Sequence, residues 1–305
     1  MADYSYLGSG QVYLREVGGA AGFLEAGNCS ALSFGVTEDV KELKDFTQPG
    51  GGTYNEVKRI SAVEASVTMH DLDGQNLARA LYGSASALAS QAVSNESALV
   101  YPAAFSPFAN LPQSSPTPTV VPAQATAPAR ANTTAYALNA YVVPVTSNGF
   151  YYKATAAGTS GGTIPTFPTV IGQTVTDGTV TWTCAGRTSL VAGTDYEVRS
   201  SGVFVYAGRT LAGETWTVGY TRVAADVVQA LVSSGKEYEI VFDGLNEARS
   251  GKRTRITAYR VKLGAAQNLG LLGEDYAALE VTGKLLKDAS KVGGISQYFR
   301  VEIEA

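Results

Sequence analysis

Two stretches of this 305-residue chain hold side chains of the types that do acid–base or metal chemistry. Glu38, Asp39 and Glu42 place three carboxylates within five positions, the raw material of a glycosidase pair. Asp71-Leu72-Asp73-Gly74 matches the opening of a calcium loop, but the later ligands of such a loop are missing. Lys41 and Lys44 interleave with the first group, which favours a solvated, salt-bridged strand over a catalytic pair. His70 is the single histidine, so zinc sites built on several histidines are excluded and any Ser-His-Asp triad would have to use it. It sits where a strand ends before a helix cap, and a structural role is the better reading there. Gly50, Gly51 and Gly52 have no lysine after them and no helix to open, and none of Gly235-Lys236, Gly251-Lys252 or Gly283-Lys284 is followed by Ser or Thr. A phosphate-cradling loop is therefore not expected. The densest basic stretch, Arg249, Lys252, Arg253, Arg255, Arg260 and Lys262, is diluted by Glu237, Asp243 and Glu247 and reads as a polar strand face. The expectation is a non-enzymatic protein with no cofactor and no metal.

The elements that carry these residues fall into two composition zones. From Ser86 to Gly186 the only charged residues are Glu96, Arg130, Lys153 and Asp177, and ten of the eleven prolines lie between Pro102 and Pro168. The formal net charge of −4 thus falls entirely outside that segment. A break of this size marks a boundary. The expected organisation is a discontinuous framework, residues 1–100 and 189–305, split by an insert over 101–188. The two cysteines, Cys29 and Cys184, are too few for a disulfide framework and read as buried thiols. The first ten residues lack the basic and apolar regions of a signal peptide, and no apolar run reaches the ~18 residues of a membrane helix. Synthesis and folding in a cytoplasm, without membrane insertion, are expected.

Period-two alternation dominates the framework. Val63, Ala65, Val67 and Met69 share one parity against Glu64, Ser66 and Thr68, with Ile60 out of step. Leu279, Val281 and Leu285 alternate with Glu280, Thr282 and Lys284, Thr257, Tyr259, Val261 and Leu263 with Ala258, Arg260 and Lys262, and Phe299, Val301 and Ile303 with Arg300 and Glu302. One short helix is expected after an Asp71 or Asp73 cap, with Leu77 and Leu81 one turn apart and Gly83 as its left-handed stop. A second, weaker helix is expected over 225–233. Between the charged runs 37–45 and 56–59, Pro49 and Gly50–Gly52 form a hairpin tip flanked by Phe46 and Tyr54. The insert opens Pro-rich and ends in a small uncharged β module. Thr176-Asp177-Gly178-Thr179 is its tight turn, and Tyr151, Tyr152, Phe167 and Trp182 supply its aromatic packing. The fold class is mainly β, an antiparallel sandwich or barrel with one or two short helices.

The order GQVYLREV, the Pro49–Gly52 hairpin, HDLDGQNLARALYG, then GTDYEVRSSGVFVYAG, GETWTVGYTR, EYEIVFDGLNEARSGKRTRITAYRVKLG, DYAALEVTGKLL and SQYFRVEI resembles the major tail tube protein of long-tailed, non-contractile bacteriophages (siphoviruses). The resemblance covers residues 1–100 and 189–305, and TVTDGTVTW is similar to a small β module that recurs in phage tail proteins. It implies hexameric rings stacked head to tail into a tube, a channel wall built jointly by all subunits as a β-barrel, and DNA passing transiently through it during ejection. It implies as partners the chain itself, the tape measure, the tail terminator and the distal tail protein, with assembly in the host bacterial cytoplasm and a final place in the virion. By resemblance, Phe46, Gln48, Pro49, Gly50, Gly51, Gly52 and Tyr54 form the ring-stacking loop. Parity points Glu64, Ser66, Thr68, Glu280 and Thr282 toward the channel, and Tyr151, Tyr152 and Trp182 are candidate sugar contacts on an outward-facing insert. The alternatives are a surface-displayed carbohydrate-binding adhesin and another tail structural protein, such as the terminator.

Overall fold

The computed structural model describes residues 4–47 and 49–305. They divide into two compact units, one running to Ala87 and resuming at Asp226–Ala305, the other Leu88–Ala225. The division lies outside the expected insert, at 87/88 and 225/226 rather than 100/101 and 188/189. The unit boundary follows strand pairing and not composition: the segments flanking the insert pair with insert strands, as set out below.

The first unit holds β1 (Gly8–Glu16), β2 (Leu24–Glu25), β3 (Cys29–Lys44), β4 (Thr53–Met69), the helix α1 (Gly74–Ala80) and β5 (Ser84–Leu88), and then, beyond the second unit, β18 (Ala225–Gln229), β19 (Glu237–Asn246), β20 (Lys252–Leu263), β21 (Leu279–Leu285) and β22 (Phe299–Ile303). Eight of these strands form one sheet in the order β2-β1-β19-β20-β21-β4-β3, with β22 also on β20. All its pairings are antiparallel. β21 takes Val261–Leu263 and β22 takes Thr254–Ala258 of β20. The sheet is open, with β3 as one edge, and no barrel closes among the described residues.

Alternation works as the sequence predicts on β4 and β21. Val63, Ala65, Val67, Met69, Leu279, Val281 and Leu285 are buried in one core with Val12, Leu14, Ile240, Ala258, Val261 and Leu263. Ile60 is out of step because Thr37 pairs with Ala62 and Glu38 with Ile60, so Ser61 is an extra residue in the ladder. The parity predicted for β20 does not hold along its whole length. Tyr238 pairs with Val261 and Ile240 with Ala258, so two residues, Tyr259 and Arg260, oppose Glu239; this bulge turns Ala258, not Thr257, into the core.

Asp73 caps α1, its carboxylate accepting from the Asn76 N–H at 2.7 Å. The left-handed residue after the helix is Tyr82 (φ 49°), not Gly83. Gly83 is required for another reason: a Cβ there would sit 2.5 Å from the Gln229 carbonyl oxygen. That contact comes from β18, a strand paired with β5 where a second helix was expected. Ala225–Gln229 lacks a helical apolar stripe long enough to outweigh strand pairing.

The second unit holds β6 (Gln91–Val100), β7 (Ala104–Pro107), β8 (Thr119–Pro122), β9 (Ala135–Tyr136), β10 (Tyr141–Val142), β11 (Phe150–Ala156), β12 (Gly158–Thr159), β13 (Thr174–Asp177), β14 (Val180–Arg187), β15 (Tyr196–Arg199), β16 (Gly202–Val205) and β17 (Glu214–Arg222). β16 pairs with β7 and β17 with β8, both strands of the expected insert, and β6 pairs in turn with β17, which draws the flanking segments into this unit. Two three-stranded sheets, β6-β17-β8 and β15-β16-β7, enclose Val100, Val203, Val205, Trp216 and Val218. A four-stranded sheet, β10-β11-β14-β13, encloses Tyr152, Phe167, Val180, Trp182 and Cys184. Gly178 (φ 63°) turns β13 into β14 in a two-residue hairpin, Asp177 pairing with Val180.

Candidate functional site

Beyond the core, β3 and β4 continue as an isolated two-stranded ribbon from about Val36–Val63 to Lys44–Thr53. Every residue of β3 from Gly35 to Lys44 is exposed, and so is every residue of β4 up to Ile60. The ribbon still carries Val36, Val40, Leu43, Val57 and Ile60 in solvent. Its apex is held by the Asp45 N–H donating to the Gly52 carbonyl (2.7 Å) and by the Thr47 N–H and hydroxyl donating to the Asp45 carboxylate. Those Thr47 bonds hold the Asp45 carboxyl below its ordinary pKa. Phe46 (84% exposed) and Tyr54 (71%) project beside Pro49 and Gly50–Gly52; Gln48 lies outside the described residues. The carboxylates of the candidate glycosidase group are on this ribbon. Asp39 pairs with Lys41 at 3.5 Å, and all three carboxylates stand at exposed strand positions.

Glu64, Ser66 and Thr68 lie on the face of the sheet opposite the core and are paired in register with Lys284, Thr282 and Glu280. The five residues expected on the channel wall therefore share one face. β3 adds Gly35, Ser33 and Ala31 to the same rows, and Lys284 and Lys262 add two cations, so the face is polar and mixed in charge. His70 Nδ1 lies 3.3 Å from the Ala277 carbonyl, and among the described residues no cluster of His, Cys, Asp and Glu is arranged to hold a metal.

All four charges of the depleted segment are used internally. Glu96 accepts from the Tyr220 hydroxyl (2.6 Å) and the Ala109 N–H (2.8 Å). Lys153 reaches buried Glu214 at 3.2 Å, whose carboxylate also accepts from the Tyr141 and Tyr151 hydroxyls. Arg130 and Asp177 form an ion pair with side chains about fully buried. The guanidinium also donates to the Gly161 and Thr163 carbonyls and to Asn132, while Asp177 accepts from the Trp182 indole N–H (3.0 Å) and the Gly161 N–H (2.9 Å). Burial opposes ionisation of Asp177, but these donors prevail and hold its pKa below the usual value. The aromatic packing expected of this module is thus joined by a buried ion pair. The signal that was available is that Arg130 and Asp177 are two of only four charges in 101 residues.

The sugar-contact assignment is overturned. Tyr151, Tyr152 and Trp182 are each 0% exposed. Tyr152 and Trp182 fill the core of the small module, whereas Tyr151 is buried outside that core, edge-on to Tyr141 with its hydroxyl donating to Glu214. Burial pushes the Tyr152 hydroxyl up to about 12 while it donates to the Pro168 carbonyl at 2.7 Å. Cys29 and Cys184 are both free thiols, one in each unit.

Residues 5–157 and 131–302 match the family described as "Protein of unknown function UCP028589", and the chain belongs to that family. A comparison with curated proteins returns no match. No helix among the described residues is long and apolar enough to cross a membrane.

Proposed function

We propose that this chain is a structural subunit that polymerises, in the manner of a siphovirus tail tube protein: rings of identical copies, hexameric by resemblance, stacked head to tail around a channel that DNA crosses during ejection. The observation that carries the reading is the first unit's unfinished sheet. β3 leaves one side of 16 consecutive residues unpaired, without proline, and the ribbon exposes apolar side chains from both of its strands. An isolated two-stranded ribbon is marginal in water, and a long free edge invites pairing with another chain. Both are satisfied when identical neighbours complete the sheet, which is how a barrel shared between subunits abolishes edges. β22 adds Val301 and Ile303, about half exposed, to the surfaces left for a neighbour.

The polar face of β4 and β21 suits a channel wall, since wall cations that neutralise phosphates strengthen DNA binding through counterion release. Glu64 opposite Lys284 pairs a negative with a positive side chain there. The adhesin reading has lost its contact residues to the core. Negative-stain microscopy of concentrated protein, alone and seeded with tail tips, is the test: rings or tubes are expected, and strictly single particles in both preparations reject the reading.

A further inference from the structure

A cavity of about 570 Å³ opens beside α1 in the first unit, with Leu14, Leu24, Ala78 and Tyr82 among its apolar walls. Arg79 lies half-buried in its lining. Among the described residues its guanidinium donates only to neutral amides of its own helix, Asn76 at 2.8 Å and Gln75 at 3.4 Å. Among the described residues no carboxylate pairs with it. Glu16 at the rim is taken by Lys236 at 2.8 Å, and Asp226, the other acidic group of the lining, packs against Gly74. A cation withdrawn from water without an ion-pair partner is costly: burial lowers the pKa of this guanidinium, and the opposing fields of Tyr238 and Asp73 do not offset it.

The converse defect lies on the ribbon. Glu42 stands directly opposite Glu56, an unfavourable like-charge pair, and while Glu56 has Lys58 at 3.0 Å, Glu42 has no hydrogen bond or ion pair among the described residues. Ribbon and cavity sit at opposite ends of one strand. β4 runs 17 residues from Thr53 at the ribbon apex to Met69 just before α1, a span of about 50 Å at the rise of an extended strand. The apex therefore cannot reach the cavity of its own chain.

We propose that the cavity beside α1 is the socket for the ribbon apex of a second copy, with the Glu42 carboxylate of one copy paired to the Arg79 guanidinium of the next and Phe46 against the apolar wall. A plug at one end and a socket at the other make a heterologous contact, which propagates head to tail. The contact rests on the tube reading above and specifies where successive copies engage.

Charge exchange tests it. Glu42→Arg and Arg79→Glu each raise the critical concentration for assembly at least about tenfold, as for loss of one partner of a desolvated pair. The chain carrying both changes returns to near the wild-type value, because each copy then presents a matched plug and socket. Melting curves establish that each variant is folded, and Glu42→Arg, on an exposed strand, gives the arm independent of the half-buried Arg79. Assembly unaffected by either single change, or single defects that the double change does not repair, overturn the contact and leave the tube reading standing. A wild-type chain that never assembles overturns both.

Discussion

Arg130 and Asp177, 47 residues apart in the chain, meet in the second unit as a bidentate pair, Nη2 to Oδ1 at 2.7 Å and Nε to Oδ2 at 2.8 Å. Removing either partner leaves a buried charge without its counterion. Arg130→Met is expected to destabilise this unit by about 3–5 kcal/mol, read as a lower urea midpoint by tryptophan fluorescence. Pairing Arg130→Met with Asp177→Leu is expected to recover part of the loss, since it removes the unpaired carboxylate but leaves the Trp182 and Gly161 N–H groups without their acceptor. A double variant no more stable than Arg130→Met would show that the pair acts through more than its charge.

The same pair sets an acid response. The folded pKa of Asp177 is below its usual value, so the pair's stabilisation is fully present above the ordinary carboxylate range, about 3.9, and is lost as pH falls through the lower folded value. Stability of the second unit should carry no Asp177 contribution to its pH slope between pH 5 and 7. It should fall below about pH 4, with a shallower fall in Asp177→Asn. Circular dichroism across a pH series measures both slopes.

Deleting Gln48–Tyr54 removes the ribbon apex and nothing from the core. The expected product is a folded monomer with wild-type melting behaviour that sediments as a single species and forms no tubes. Normal tubes from this deletion would remove the apex turn from the assembly contact.

Glu64→Lys places a third cation beside Lys284 and Lys262 on the polar sheet face. Assembly should survive, since the position is exposed and on a strand already paired on both sides. Virions carrying the change should eject DNA more slowly, with the defect relieved by salt as for added phosphate contacts. Ejection timed by dye release at two ionic strengths reads this, and unchanged rates would take this face off the channel wall.

Cys184 is buried in the aromatic module and its thiol is pushed up to about 11, first by burial. It should resist a thiol reagent at pH 8 in the folded protein and react once urea unfolds the unit. Mass spectrometry of the labelled peptide reports the difference.

Strand alternation was legible along β4 and β21 because a half-buried strand writes its two faces directly into the order of its residues. It failed on β20, where an extra residue opposite Glu239 reverses the faces and leaves no mark in composition. The helix start was legible from Asp73, whose carboxylate acts within three residues. The strand at Ala225–Gln229 was not, since its partner β5 lies more than a hundred residues earlier in the chain. The ribbon apex was visible from Pro49 and Gly50–Gly52, residues that interrupt regular structure through their own backbone limits.

Local chemistry, acting over a few neighbours, was thus settled by the amino-acid order alone: β content, the apex, the helix cap, the charge-poor segment. Which side chains meet across long separations was decided only on folding. Tertiary structure buried Tyr151, Tyr152 and Trp182, joined Arg130 to Asp177, and set Glu42 and Arg79 at opposite ends of one strand with neither neutralised. Those outcomes depend on register and packing between distant segments, where a single bulge moves every side chain beyond it to the other face.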